Sequence, residues 1–475
     1  MRAVSRPRFH PIPRPSAWLR AGSAGARWGV RLSVLLLWWL ATMAAAQLNP
    51  GPAKSQAPPP SNQVVVIKAG TLIDGRSDAP RSNQVIVVRG DRIESVGDGA
   101  SAKIPVGAEV IDLSRATVLP GLIDTHTHIF LQGEEPAEGG YDVNILKYPL
   151  AYRAARAAVA ARRALEQGFT AIRDVETEGA GYGDVGIKQA INEGHIPGPR
   201  MFVSTLAIST TGGYPLEGYA PEIEFQLPKG VQIIDGPVEA RKAAREQLDN
   251  GADWIKVYMT HRSWLGENGE LVSQPTLTLE ELKAIVDETH GWGRKVACHA
   301  YGGIGLHRSL DGGCDSIEHG LDLDDAAIRQ MVKQGTWYVP TLAVYYHDWG
   351  PENTPGGRRD RKRAAVHGPS FQKALKVGVK IAFGTDMGGI PWTEPIAQEF
   401  RREVELGMTP MQAIQSATTR AAELLDMTGQ IGVVAAGAYA DLVAVEGDPL
   451  RDIGVMQQVR FVMKGGRIFK NDIGR

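Results

Sequence analysis

The chain has 475 residues, of which 43% are apolar and 22% charged, and its formal net charge is −1. At about 150 residues per domain this allows two or three domains, or one large barrel with additions. The ordinary composition excludes disorder, collagen and a multi-span membrane protein for the bulk of the chain. Lys+Arg (52) balances Asp+Glu (53), which leaves no basic field for nucleic acid, and two cysteines, Cys298 and Cys314, exclude a disulfide scaffold or a Cys-rich zinc module.

Residues 1–31 carry seven arginines, Arg2 to Arg31, and no acid; an apolar run from Leu32 to Met43 and then Ala44-Ala45-Ala46 follow. A basic start, a short apolar stretch and an A-x-A site predict a secretory signal peptide over 1–46. The apolar run is shorter than the roughly 20 residues of a spanning helix, which argues against a membrane anchor and for an exported, periplasmic or secreted protein. Removing the seven arginines takes the net charge from −1 to −8, which further disfavours nucleic acid. An exported chain with so few cysteines is not expected to depend on disulfides. Residues 47–63 are polar and Pro-rich and read as a flexible leader.

From residue 64 to 118 the chain runs in β-branched segments broken by Gly, Asp and Asn, and residues 429–475 repeat that style. One small β-domain built from both chain ends is the simplest arrangement. Between them, residues 119–428 alternate helix and strand. Four segments share one grammar of helix, Gly and short strand, with the glycines at Gly168, Gly251, Gly313 and Gly378. Strands are predicted at 119–125, 169–175, 200–208, 253–259, 295–300, 315–319, 336–342 and 380–385, with helices near 150–167, 237–250, 279–291, 323–334 and 362–377. This alternation predicts a parallel α/β sheet, and eight strands over this length suit a closed (β/α)8 barrel of about 250 residues. No G-x-G-x-x-G follows an early strand, so a dinucleotide fold gains no support.

In such a barrel the chemistry sits at the C-terminal ends of the strands. Read in order, those ends carry His126 and His128, Lys256, His299, His319 and Asp386. In an extended segment His126 and His128 point the same way and can chelate one cation. His299 and His319, each alone as well explained as a core histidine, join that pair at adjacent strand ends. Lys256 lies in the apolar strand DWIKVY, where desolvation favours the neutral, nucleophilic amine; a salt bridge to Asp386, Asp174 or Glu318 is the structural alternative. Asp386 precedes a Gly-rich turn, where it can ligate a metal and exchange a proton, or cap a helix.

The motifs VLPGLIDTHTH, DWIKVY, ACHAYG, DSIEHG and IAFGTDMG, in this order, resemble the amidohydrolase superfamily, in the branch of imidazolonepropionase-like, prolidase-like and ochratoxinase-like proteins. The similarity covers residues 62–470. It implies a distorted barrel with a β-sandwich made of both chain ends. It also implies two divalent metal ions, usually Zn2+, held by His126, His128 and Asp386 on one side and His299 and His319 on the other. Carboxylated Lys256 and a hydroxide would bridge them. The bridging lysine separates this layout from the single-metal deaminases and true imidazolonepropionases. The resemblance thus implies hydrolysis of a C–N bond, with Asp386 moving the proton and the substrate a small molecule such as a dipeptide or N-acyl amino acid. Relatives assemble as dimers or larger oligomers.

Substrate contacts are expected from the loops after strands 3 and 4: Tyr214, Tyr258, Arg262 and Trp264. Tyr258 shares the direction of Lys256 and could bond an oxyanion, and Arg262 could clamp a carboxylate. Where dipeptidase-like relatives tend to carry A-T-G-G after the lysine strand, this chain reads YMTHRSW, and some relatives carry His where Tyr214 stands. An ester or lactone hydrolase on the same metal site is the alternative within enzymes. A metal-binding periplasmic scaffold is the alternative outside them.

Overall fold

The computed structural model describes residues 63–133, 140–214, 230–347 and 351–474. The expected signal peptide and all of the Pro-rich leader except residue 63 lie outside them. Among the described residues no helix is long and apolar enough to cross a membrane.

The β-branched segments at the two chain ends pair with each other. Seven strands share one sheet, in the order Arg467–Asn471, Val459–Lys464, Leu442–Glu446, Glu109–Pro120, Val64–Leu72, Arg81–Arg89 and Arg92–Asp98. Glu109–Pro120 pairs on both edges, parallel to Val64–Leu72 and antiparallel to Leu442–Glu446, which makes the two chain ends one hydrogen-bonded unit. Alternate residues such as Val65, Ile67, Leu442, Ala444 and Phe461 bury together on it.

The middle of the chain supplies β1 (Leu122–Thr127), β2 (Phe169–Asp174), β3 (Arg200–Val203), β4 (Trp254–Tyr258), β5 (Lys295–Gly302), β6 (Ser316–Asp322), β7 (Trp337–Val339) and β8 (Lys380–Ile381). Their ladders are parallel. Backbone bonds join β3 to β4 (Asp253 N to Val203 O, 2.8 Å) and the last strand to the first (Thr125 N to Phe383 O, 2.9 Å; Asp386 N to His126 O, 2.8 Å). Helices Leu150–Glu166, Pro237–Asp249, Leu279–Gly291, Asp325–Gln334 and Pro355–Val377 pack outside, giving a TIM-barrel-like α/β fold. Gly313 and Gly378 take the left-handed conformation that closes a helix, as their sequence grammar predicts.

Three expectations shift. The strand expected at 200–208 breaks into Arg200–Val203 and Ile208–Ser209, because Thr205 turns to φ 58° and bonds Asp184 and Gln247 instead of a neighbouring strand. The helix expected from 362 starts at Pro355: Thr354 caps it and Pro355 needs no partner for a missing N–H, which outweighs the adjacent glycines. Short helices Gly183–Asn192 and Gly303–Gly312 were hidden by their glycine content.

The barrel floor is filled by Ile123, Ala171, Trp254, Ala297, Trp337, Val339 and Ala382. Strand alternation carries that inward face upward: from Ala171 to Arg173, from Trp254 to Lys256 and Tyr258, from Ala297 to His299. Cys298 faces the opposite way, as alternation requires, and there it forms a disulfide with Cys314. This corrects the expectation that no disulfide contributes. Residues 16 apart met because β5 and β6 are neighbours, a proximity the spacing alone does not reveal.

Candidate active site

The six strand-end residues converge. His126 Nε2 and His128 Nε2 lie 3.6 and 3.1 Å from Asp386 Oδ1, and His319 Nδ1 lies 3.9 Å from Asp386 Oδ2. Lys256 Nζ is 3.5 Å from His126 Nε2, and the His299 and His319 rings are 4.3 Å apart. All but Asp386 are at least 95% buried. They form the floor of a cavity of about 590 Å³ that His128, Lys256, His299, His319 and Asp386 line.

Two of these residues sit in strained backbone: His319 has φ 72° and Asp386 φ 60°. Such conformations cost about 1–3 kcal/mol each and persist where packing over-determines them. Gly388, at φ 111°, lets the turn after Asp386 press on the His128 backbone, where a Cβ would collide.

A second layer aims the imidazoles. His126 Nδ1 meets Glu318 Oε2 at 2.6 Å, and Glu318 is gripped by Arg173 at 2.8 and 2.9 Å and by Ser316 Oγ at 2.5 Å. Arg173 in turn stacks on Trp254, 4.4 Å from the ring centre. Thr341 Oγ1 sits 2.8 Å from His319 Nδ1, and Glu178 Oε1 is 3.3 Å from His128 Nδ1. Nδ1 of His126 and of His319 is thus hydrogen-bonded, which for His126 turns Nε2 toward Lys256 and Asp386, while Glu178 lies beside His128 Nδ1 without bonding it. His299 Nε2 is buried with no hydrogen-bond partner. Together with the cluster of His126, His319 and Asp386, whose donor atoms lie within 4.8 Å of one another, this orphaned nitrogen fits a divalent cation.

The electrostatics suit that role. Burial, reinforced by Lys256, lowers His126 to about 4, and burial holds His299 and His319 well below the ordinary imidazole value. Neutral imidazole is the ligating form. Burial would raise Asp386, but its bond to His128 and the imidazoles of His126 and His319 hold it well below the usual carboxylate range. Burial also lowers Lys256. Glu318, one candidate partner for this lysine, already has Arg173 and His126.

Tyr214 and Tyr258 line the cavity as expected. Their hydroxyls are engaged: Tyr258 donates to Glu176 at 2.5 Å and Tyr214 to Glu178 at 2.8 Å. Arg262 and Trp264 are not among the cavity-lining residues, and Trp264 is 48% exposed. The segment after Tyr258 is a strand, Thr260–Leu265, in a hairpin whose register shifts between Thr260 and Ser263; it brings His261 to the cavity, half-buries Arg262 away from the lining and exposes Trp264. The arginines that do line the cavity are Arg359 and Arg363, on the Pro355–Val377 helix. Arg363 donates to Ser263 Oγ at 2.7 Å and pairs with Asp360 at 3.2 Å. Glu176, Glu178 and Arg173 were likewise missed; an arginine and two glutamates around a strand end (AIRDVETEG) were the available signal.

A family model described as the amidohydrolase family matches residues 117–469. The chain is 33% identical to ochratoxinase of Aspergillus niger over 437 residues, 86% of this chain and 87% of that protein. Among solved structures it is similar to a Xaa-Pro dipeptidase with methionine bound in the active site (TM-score 0.77, 34% identity, covering 86% of this chain and 100% of that one). It is also similar to the A. niger ochratoxinase structure (TM-score 0.72, 31% identity, 87% and 96%).

Proposed function

The chain belongs to the amidohydrolase family, and from that premise we propose that it is a binuclear metal hydrolase cutting the amide bond of small peptide-like substrates, dipeptides and N-acyl amino acids among them. The observation that carries the reading is the convergence of His126, His128, Lys256, His299, His319 and Asp386 on one cavity floor. The relatives point the same way: one is a Xaa-Pro dipeptidase and another an ochratoxinase. The proposal takes the ring as a (β/α)8 barrel over 119–428, flanked by a sandwich domain from 64–118 and 429–475.

His126, His128 and Asp386 would hold one cation and His299 and His319 the other, with zinc the metal proposed. Burial lowers Lys256, which favours its neutral amine; that amine would add to carbon dioxide, losing one N–H proton to solvent, and the resulting carbamate anion would serve as a further metal ligand. When bound, the two cations supply an activated water at neutral pH and polarise the scissile carbonyl. Asp386, set among three imidazoles, takes the proton released on attack and delivers it to the departing nitrogen. Tyr258 can turn its hydroxyl from Glu176 to the oxyanion. Arg359 and Arg363 face a substrate carboxylate in place of Arg262 and Trp264.

Export of the mature chain completes the reading. It is supported by the basic, apolar and small-residue pattern of 1–46 and by the Cys298–Cys314 disulfide, which persists in oxidising compartments.

The test is amine release from a panel of dipeptides and N-acyl amino acids by the zinc-loaded protein lacking residues 1–46, with metal content measured alongside. Turnover with about two metal ions per chain supports the proposal. Silence across the panel with zinc bound refutes the amide assignment and moves the search to lactones and esters.

A further inference from the structure

One wall of the cavity carries chemistry that the metal centre does not use. Glu178 follows β2, lines the cavity beside His128, and is 2% exposed. Its backbone is strained, at φ 52°. Arg153 holds its carbonyl oxygen at 2.6 Å, and the hydroxyls of Tyr141 and Tyr214 donate to its Oε2 at 2.7 and 2.8 Å. A non-glycine residue held this way is over-determined, and such positions cluster at ligand clamps. Beside it Glu176 is fully buried, and its Oε1 has no hydrogen-bond partner. His128 Nδ1 lies 3.3 Å from Glu178 Oε1 without bonding it. The unmet Glu176 Oε1, beside Glu178 on the cavity wall, makes an acceptor-rich corner suited to a cationic group.

The part of the cavity lining that comes from the Pro355–Val377 helix has the reverse polarity. Arg359 and Arg363 face the cavity from this helix, which follows β7, with Asp360 the one acid among them. In an eight-strand ring β7 and β2 stand three positions apart, so the two poles flank the metal floor. A ligand lying across that floor meets an anion at one end and cations at the other.

We infer that Glu178 binds the free α-amino group of the substrate residue N-terminal to the scissile bond, which makes the enzyme selective for zwitterionic dipeptides over N-acylated ones. The inference rests on the amide-hydrolase reading above and narrows it. Glu178 supplies a charge-assisted hydrogen bond to the ammonium, the two tyrosines fix the carboxylate, and the arginines take the far carboxylate.

The test compares the zinc-loaded wild type with Glu178→Gln. The ligands are two hydrolysis-inert phosphinate analogues of alanyl-phenylalanine, one with a free amine and one N-acetylated. Binding is read by calorimetry and zinc content by atomic absorption. The wild type should bind the free-amine probe tighter by on the order of ten- to a hundredfold, the size of a hydrogen bond to a charged group. The Gln variant should lose that preference, keep its affinity for the acetylated probe and keep its zinc; Glu178→Asp should retain part of the preference.

A wild type that binds both probes alike overturns the inference without any variant having to fold. So does a Gln variant that keeps the preference. Loss of zinc in the Gln variant overturns it too, by making Glu178 a support for His128 or a metal ligand itself. Absence of turnover across the dipeptide and N-acyl panel refutes the amide-hydrolase reading alone, since the ratio of the two probe affinities is read without turnover.

Discussion

Arg173→Met should cost the fold about 3–5 kcal/mol, the penalty for leaving a buried carboxylate without its cation. Both partners are fully buried, and Arg173 holds both oxygens of Glu318, at 2.8 and 2.9 Å. Without the guanidinium, Glu318 keeps only Ser316 and His126. Burial then dominates, its carboxyl rises from a value now held well below the ordinary one, and it takes up a proton. His126 loses its ionised partner, and metal affinity should fall about ten- to a hundredfold, as it does when such supports are removed elsewhere. Removing both groups, in Arg173→Met with Glu318→Gln, leaves no uncompensated charge and should recover more than half of the single-variant loss. The sign with pH follows from the lowered carboxyl. Its stabilising share is present above the unfolded value near 4.5 and is lost as pH falls, so the wild-type advantage over Arg173→Met shrinks in acid. Urea unfolding of the metal-free proteins gives the stability difference, and competition with a chromophoric chelator gives zinc affinity. A single-variant loss below about 1 kcal/mol, the size of an exposed pair, would refute the reasoning. So would a double variant whose losses simply add.

Three further outcomes are expected. Lys256→Ala and Asp386→Asn should each lower kcat at saturating zinc by at least about a hundredfold, the lower bound for losing a proton-transfer group; near-wild-type kcat in either refutes the assigned roles. His367, beside the His319 backbone, is lowered by burial to about 3, with Nε2 3.1 Å from the Tyr338 hydroxyl. Its folded value lies below its unfolded one, so the unfolded chain binds more protons between about pH 3 and 6.5. Relative to His367→Gln, the wild type should therefore lose up to about 1.4 kcal/mol per pH unit as pH falls through that window; parallel pH profiles of the two would contradict this. Reducing Cys298–Cys314, which closes a loop of sequence separation 16, should lower stability by about 3 kcal/mol, measured as the shift in urea midpoint with reductant; no shift would show the bond to be energetically idle.

The metal-site residues were legible because strand ends carry their own markers. An apolar run followed by His, Lys or Asp and then Gly is a local pattern, and a parallel barrel brings all such ends to one face. The β-branched segments at the chain ends were legible for the same reason, each forming hairpins with its neighbours, and the strand Glu109–Pro120 joins the two sets into one sheet. The substrate wall was not legible in that way. Arg262 and Trp264 follow the lysine strand closely, but the chain there forms a hairpin with a register shift, which leaves both out of the cavity lining. Arg359 and Arg363 sit in a helix more than a hundred residues from Lys256, in a Gly- and Arg-rich stretch that reads as surface.

By itself the sequence determined the succession of helices and strands, the strand-end set His126, His128, Lys256, His299, His319 and Asp386, and the outward direction of Cys298. Each depends on periodicity or on a neighbour a few residues away. Only the tertiary structure decided that Glu318 and Arg173 brace His126, that Cys298 reaches Cys314, and that Glu178 lines one cavity with Arg359 and Arg363. Those pairings join different strands and loops. Their geometry is set by the closure of the ring and the packing above it, and no local pattern encodes which distant side chain will complete a buried charge.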